Sequence, residues 1–209
     1  MNPWLEIPLE DYEAHMSMAS VGQANFLARV LGDVVDDVQP SSVAVIGCSG
    51  GNGFDRLPPD MVQRVVGVDI NPDYIEATRK RYGGRFKQLE LIGEDVLTSR
   101  CLFEPVDLIF AGLVFEYLDH VKGLCSLKRF MKPGGYLSAV LQLPSETISA
   151  VSPTPYASLK KLDGFLKFVA PEGFDESANS IGLSTQVSRR LALDSGKTFQ
   201  EFLFSRSLT

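Results

Sequence analysis

The chain has 209 residues, 44% hydrophobic and 22% charged, with a formal net charge of −6. That length suits one α/β domain with a full core, and the acidic balance argues against a nucleic-acid partner, whose phosphates it would repel. No apolar stretch reaches membrane-spanning length, and residues 1–6 lack the basic and apolar regions of a signal peptide, so no membrane partner is expected. Cys48, Cys101 and Cys125 are odd in number and fit no zinc spacing. They read as reduced thiols of a cytoplasmic protein. Two histidines and scattered acids define no metal site.

Residues 1–20 show no clear periodicity and are expected to be irregular. Phe26, Leu27, Val30, Leu31, Val34, Val35 and Val38 then recur at helical intervals, predicting a helix over 21–38 that Pro40 ends. A first strand over 42–46 runs into Gly47-Cys48-Ser49-Gly50-Gly51-Asn52-Gly53, a turn tight enough to need small residues. A second strand over 64–69 ends in Asp69, 22 residues after Gly47. Asn71 is a credible N-cap, with Pro72 at the first helical position, for a helix to Tyr82 that stops at Gly83-Gly84.

A third strand is placed near 86–92, with Gly93-Glu94-Asp95 at its end. The fourth, 106–111, is almost wholly apolar, as a strand buried on both faces should be. A helix over about 120–131 is stopped by Lys132-Pro133-Gly134-Gly135, and a fifth strand covers 136–143. Alternating strands and helices imply a parallel sheet with right-handed crossovers. Residues 144–155 read as a polar loop. Leu159, Leu162, Phe165, Leu166 and Val169 form one face of an amphipathic helix over 156–169. Two strand-like runs, 186–193 and 198–205, flank Asp194-Ser195-Gly196-Lys197, a hairpin signal.

A cramped turn after one strand and a carboxylate at the tip of the next describe a site for an adenosine-containing small molecule, the carboxylate taking both ribose hydroxyls. Asp69 alone equally suits a nicotinamide cofactor. The dinucleotide fingerprint fits poorly, because Gly47-x-Ser49-x-x-Asn52 lacks its second and third glycines. Asp95 either meets such a ligand or caps a helix.

In this order the motifs resemble those of class I S-adenosylmethionine-dependent methyltransferases of the small-molecule type, over roughly residues 40–205. The family's glycine motif usually opens with an acid. Here Val45 stands at that position and Ser49 replaces the second glycine. The resemblance implies a doubly wound, Rossmann-like α/β fold. Its mostly parallel seven-stranded sheet ends in an antiparallel hairpin, with helices on both faces. It implies one domain, with 1–38 as an N-terminal lid and helix, 40–143 as the cofactor-binding core and 144–209 on the substrate side.

It also implies S-adenosyl-L-methionine as donor and S-adenosyl-L-homocysteine as product. Asp69 then holds ribose, Ile70 packs on adenine, and Asp95 with the Val96 N–H reads the adenine edge. Gly47, Cys48, Ser49 and Gly51, with Ala111 and Gly112, line the methionine end. The candidate catalytic residues are His15 and Tyr12, on the N-terminal segment that folds over the pocket in relatives, and Glu116, after strand four. His15 is otherwise a surface residue, and His120 lies too late in the chain to be favoured. The acceptor is a small molecule whose identity has no readable code. Two alternatives stay open: a binding protein for the same ligand without transfer activity, and an NAD-dependent oxidoreductase.

Overall fold

The innermost strand, β1 (Ser42–Ile46), is buried along its whole length. It pairs in parallel with β2 (Arg64–Asp69) on one side and β4 (Val106–Gly112) on the other. In the computed structural model, which describes residues 2–146 and 149–208, these strands centre a seven-stranded sheet of order β3-β2-β1-β4-β5-β7-β6. β3 (Gln88–Gly93) and β5 (Met131–Gln142) continue the parallel pairing outward. β6 (Leu183–Ala192) and β7 (Thr198–Arg206) form the antiparallel hairpin, with β7 against β5. Strand order reverses between β1 and β4, so a crevice opens at their carboxyl ends, where ligands of open α/β sheets bind.

Period-two alternation sends side chains of one strand into two separate cores. Ala44, Ile46, Val66 and Val68 share one face with Phe115, Leu124 and Phe174. Val43, Val45 and Val65 face Phe26, Val30 and Val34 on the other. Helices α2 (Gln23–Val38) and α3 (Pro72–Tyr82) carry residues of the second core, and α4 (His120–Lys128) and α5 (Pro171–Ser180) carry residues of the first. Asn71 caps α3 as expected, its side chain accepting from the Asp73 N–H at 2.9 Å.

Three stretches differ from the sequence expectation. The segment expected to be irregular over 1–20 holds a 3₁₀ turn at Pro3–Glu6 and then α1 (Leu9–Ser17). The helix has little apolar patterning because its inner face is shared: Met16 and Tyr12 pack against the second core, while both of them and His15 also border a cavity. The helix before strand five ends at Lys128, and residues 131–135 already belong to β5, since Met131 pairs with Val106 across a register shift. Residues 157–162 make only a 3₁₀ helix, whereas an unforeseen α5 begins at Pro171 and buries Phe174 and Ala178. The hairpin is as expected, closed by the Leu193 N–H donating to the Lys197 carbonyl at 2.9 Å. Two residues of the expected polar loop over 144–155 lie outside the described ones.

Candidate functional site

A cleft of about 760 Å³, counting its open mouth, lies over the carboxyl ends of β1, β2, β3 and β4. Asp69, at the tip of β2, is 8% exposed and faces it. Its Oδ2 accepts the Ser49 N–H at 2.8 Å and its Oδ1 accepts the Asn71 N–H at 2.9 Å. Each oxygen keeps a further lone pair, so the group can still take two hydroxyl donors. Burial pushes this carboxyl up to about 6, against the pull of those backbone N–H groups.

The glycine turn is aimed by specific contacts. Ser49 is held left-handed (φ 52°) while its carbonyl accepts from Thr78 Oγ1 at 2.8 Å. Its own Oγ is buried and has no hydrogen-bond partner among the described residues, an orphan that a ligand in the cleft can satisfy. Val45, at the usual acid position, is in register with Gly67 and Phe110 and packs in the core beneath α2. An acid there would be buried among apolar side chains, which fits its absence.

Gly47, Ser49, Asp69, Ile70, Asp95, Val96 and Gly112 all line the cleft, as does Glu94, which sequence reasoning passed over. Asp95 does two jobs: its Oδ1 accepts the Leu97 N–H at 2.9 Å to close a turn, and the residue also faces the cleft. Cys48, Gly51 and Ala111 lie outside the lining. Cys48 and Ala111 are core residues, and burial pushes the Cys48 thiol well above its ordinary range. Gly51 (φ 88°) sits under the Tyr82 ring, where a Cβ would lie 2.5 Å from Cε2.

A second cavity, of about 530 Å³ counting its open mouth, adjoins the first; Trp4, Tyr12, Leu113 and Tyr117 line both. Trp4 meets Tyr12 and Tyr117 edge-on, at centroid distances of 5.4 and 5.0 Å. These rings form the partition. Asn71 Nδ2 donates to the Trp4 carbonyl at 2.9 Å and Tyr74 Oη to the Ile7 carbonyl at 3.0 Å, pinning the N-terminal segment over the site. Glu13 on α1 pairs with Arg81 on α3 and adds a further tie.

Of the three catalytic candidates, Tyr12 borders both cavities, whereas His15 and Glu116 border only the second. His15 is buried, not on the surface, and its Nδ1 has no partner among the described residues. Burial, aided by the charge of Lys197, holds its pKa below the usual imidazole value. Glu116 is 1% exposed; its Oε1 accepts the Gln142 N–H at 2.6 Å and its Oε2 is unpartnered. Burial pushes this carboxyl up to about 7. Burial and the nearby Asp69 and Glu13 charges raise the Tyr12 phenol, so it stays protonated. His120 starts α4 and borders neither cavity.

Sequence reasoning missed Gln23, Gln142 and Lys197, which supply most of the remaining polar lining of the second cavity. They come from α2, β5 and the hairpin turn, and only the three-dimensional fold brings them together. Among the described residues no cluster of ligating side chains can hold a metal ion, and no helix is long and apolar enough to cross a membrane.

A crevice at a sheet's switch point, a carboxylate at the neighbouring strand tip and a small-residue turn between them are the layout with which open α/β sheets receive nucleosides. Residues 44–139 match the family described as "Methyltransferase domain". The chain is 34% identical over 140 residues to trans-aconitate 2-methyltransferase of Azoarcus sp. (strain BH72), covering 64% of this chain and 51% of that one. It is 30% identical over 182 residues to the trans-aconitate 2-methyltransferase of Sinorhizobium fredii, covering 84% and 61% respectively. The chain thus spans between half and about three fifths of the length of these relatives.

Among solved structures, N-methyltransferase NodS from Bradyrhizobium japonicum WM9, in complex with S-adenosyl-L-homocysteine, superposes with a TM-score of 0.70 at 16% identity over 99% of both chains. That similarity speaks for the fold. Together these similarities support a class I S-adenosylmethionine-dependent methyltransferase.

Proposed function

We propose that the protein transfers a methyl group from S-adenosylmethionine to a small-molecule acceptor, with the donor in the cleft over β1–β4 and the acceptor in the adjoining cavity. The observation that carries this is Asp69: a buried carboxylate anchored by two backbone N–H groups, with lone pairs left over and facing an open cleft. The cleft suits the donor at three further points. Ile70 and Val96 offer apolar surface for adenine, Asp95 offers an acceptor beside it, and the unpartnered Ser49 Oγ awaits the amino-acid end. Bound there, S-adenosylmethionine supplies a methyl carbon on a positively charged sulfur, already activated for in-line displacement by an acceptor lone pair.

The protein's part is then orientation and exclusion of water. α1 and the Trp4–Tyr12–Tyr117 cluster separate and roof the two cavities. Electron-rich ring faces favour a neighbouring cation such as the donor's sulfonium. Where the acceptor must lose a proton, His15 and Glu116 are the bases at hand: burial keeps the first neutral and brings the second close to neutral pH. Residues 1–209 act as one domain in this scheme: a lid and helix to residue 38, a donor core over 40–143, and acceptor-side elements over 144–209. A reducing, cytoplasmic setting accords with three free cysteines, two of them buried.

Calorimetric titration with S-adenosylmethionine, S-adenosylhomocysteine and NAD tests the donor assignment. Saturable binding of the first two without NAD binding is expected. NAD binding with no response to either sulfur ligand overturns it. The relatives' acceptor, trans-aconitate, is the first compound to assay for release of S-adenosylhomocysteine.

A further inference from the structure

Lys197 sits in the turn between β6 and β7, yet it is only 4% exposed and its ammonium points into the second cavity. A turn lysine normally reaches water. Here Nζ donates to the Ala150 carbonyl at 2.8 Å and makes a long contact with Gln142 Oε1 at 3.4 Å. An ammonium has three protons to place, and these two neutral oxygens satisfy fewer. No carboxylate among the described residues lies within ion-pair distance of it, although nine other ion pairs are present. The nearby His15 is itself held neutral, and Lys197 is pushed down to about 8 by burial alone, with no anion to oppose it. A buried cation without a counter-ion is costly unless something completes it.

The same cavity holds two further unpartnered buried atoms, His15 Nδ1 and Glu116 Oε2. Polar groups left incomplete around one hollow describe the complement of a ligand. We propose that the second cavity takes an acceptor bearing a carboxylate, which pairs with the Lys197 ammonium and makes Lys197 the residue that selects anionic acceptors. This rests on the donor assignment above, since it places the acceptor beside the donor cleft.

Gln142 backs the arrangement. Its Oε1 is shared by Lys197 and by Gln23 Nε2 (3.2 Å), its Nε2 donates to the Ala150 carbonyl at 2.8 Å, and its backbone N–H holds Glu116. A carboxylate entering here supplies the oxygen that the third ammonium proton lacks. It also leaves the other end of the acceptor free to face the aromatic partition. Lys197 borders the second cavity alone, whereas Trp4, Tyr12, Leu113 and Tyr117 border both. The anchored carboxylate and the methyl-receiving atom are therefore at different ends of the molecule.

The test is calorimetric, on protein first saturated with S-adenosylhomocysteine. Trans-aconitate, succinate and benzoate are titrated, each beside its uncharged amide. At least one acid should bind, at least tenfold more tightly than its amide. Lys197→Met, which keeps the stem and removes the charge, should lose at least tenfold in affinity for that acid, while Lys197→Arg retains part of it. Both should bind S-adenosylhomocysteine as the parent protein does. In the ligand-free state Lys197→Met should melt no lower than the parent, because it removes an uncompensated charge; a merely structural lysine would leave the variant less stable.

If no acid binds, or if an acid binds Lys197→Met as well as it binds the parent, the proposal is overturned. Should Lys197→Met fail to fold, the acid-against-amide comparison on the parent protein decides. Should the parent not bind S-adenosylhomocysteine, the donor assignment has failed instead, and the same comparison on the free protein still decides the anion site.

Discussion

Glu116 offers the sharpest energetic test, because its cost can be isolated by pH. Its carboxyl is 1% exposed, one oxygen is unpartnered, and burial raises it from the ordinary 4.5 to about 7. That gap corresponds to roughly 3 kcal/mol. The folded state therefore holds this proton more tightly than the unfolded chain does. Between the two values the folded protein binds more protons, so its stability falls as pH rises through that window, and above about 7 the full cost is present. Glu116→Gln keeps an oxygen for the Gln142 N–H and the same shape, but does not titrate.

Urea unfolding of the two ligand-free proteins at about pH 4 and about pH 8 isolates the effect, because groups common to both cancel. The gap in unfolding free energy should move in the variant's favour by on the order of 3 kcal/mol between the two conditions. For a chain of this size that is roughly 6–12 °C in melting temperature. A gap that does not change with pH would mean that Glu116 ionises as freely in the folded protein as in the unfolded chain, and the base role near neutral pH would go with it.

Three further outcomes are expected. Removing residues 1–20 should leave a folded sheet, judged by far-ultraviolet circular dichroism, yet weaken S-adenosylhomocysteine binding by at least tenfold; unchanged affinity would show that α1 is no lid. Gly51→Ala should lose about 1–3 kcal/mol of stability, because its left-handed backbone and the Tyr82 ring both oppose a Cβ, with donor affinity nearly intact since the residue lies outside the cleft. An affinity loss without a stability loss would place Gly51 at the ligand instead. Under native conditions a thiol reagent should label Cys125 alone by mass spectrometry, since Cys48 and Cys101 are buried; rapid labelling of Cys48 would mean that the glycine turn opens.

Most of the residues that line the first cleft were legible in the sequence because they are local. Each piece lies at the end of one strand, and strand ends are marked by Gly47, Asp69, Asp95 and Gly112 within short windows. Asp95 and Val96 border the cleft, and Asp95 also closes its own turn, a detail that spacing does not reveal. Cys48, in the turn after β1, and Ala111, in β4, point into the cores, which a motif match ignores; for Ala111 this follows from the pleat.

The second cavity was far less readable. Beyond His15 and Glu116, its polar residues come from positions as far apart as Gln23, Gln142 and Lys197, and each of these three looks ordinary in its own window. Lys197 in particular read as a turn residue. α1 was missed because a helix that roofs a cavity need not show an apolar stripe, and α5 because its buried residues are few, chiefly Phe174 and Ala178.

The most direct measurement is a crystal structure of the protein grown with S-adenosylhomocysteine. Both ribose hydroxyls should lie within hydrogen-bonding distance of the Asp69 carboxylate, with the adenine between Ile70 and Val96 and the homocysteine chain against Gly47 and Ser49. Density for the nucleoside elsewhere, with Asp69 facing only its backbone partners, would contradict the account at its root.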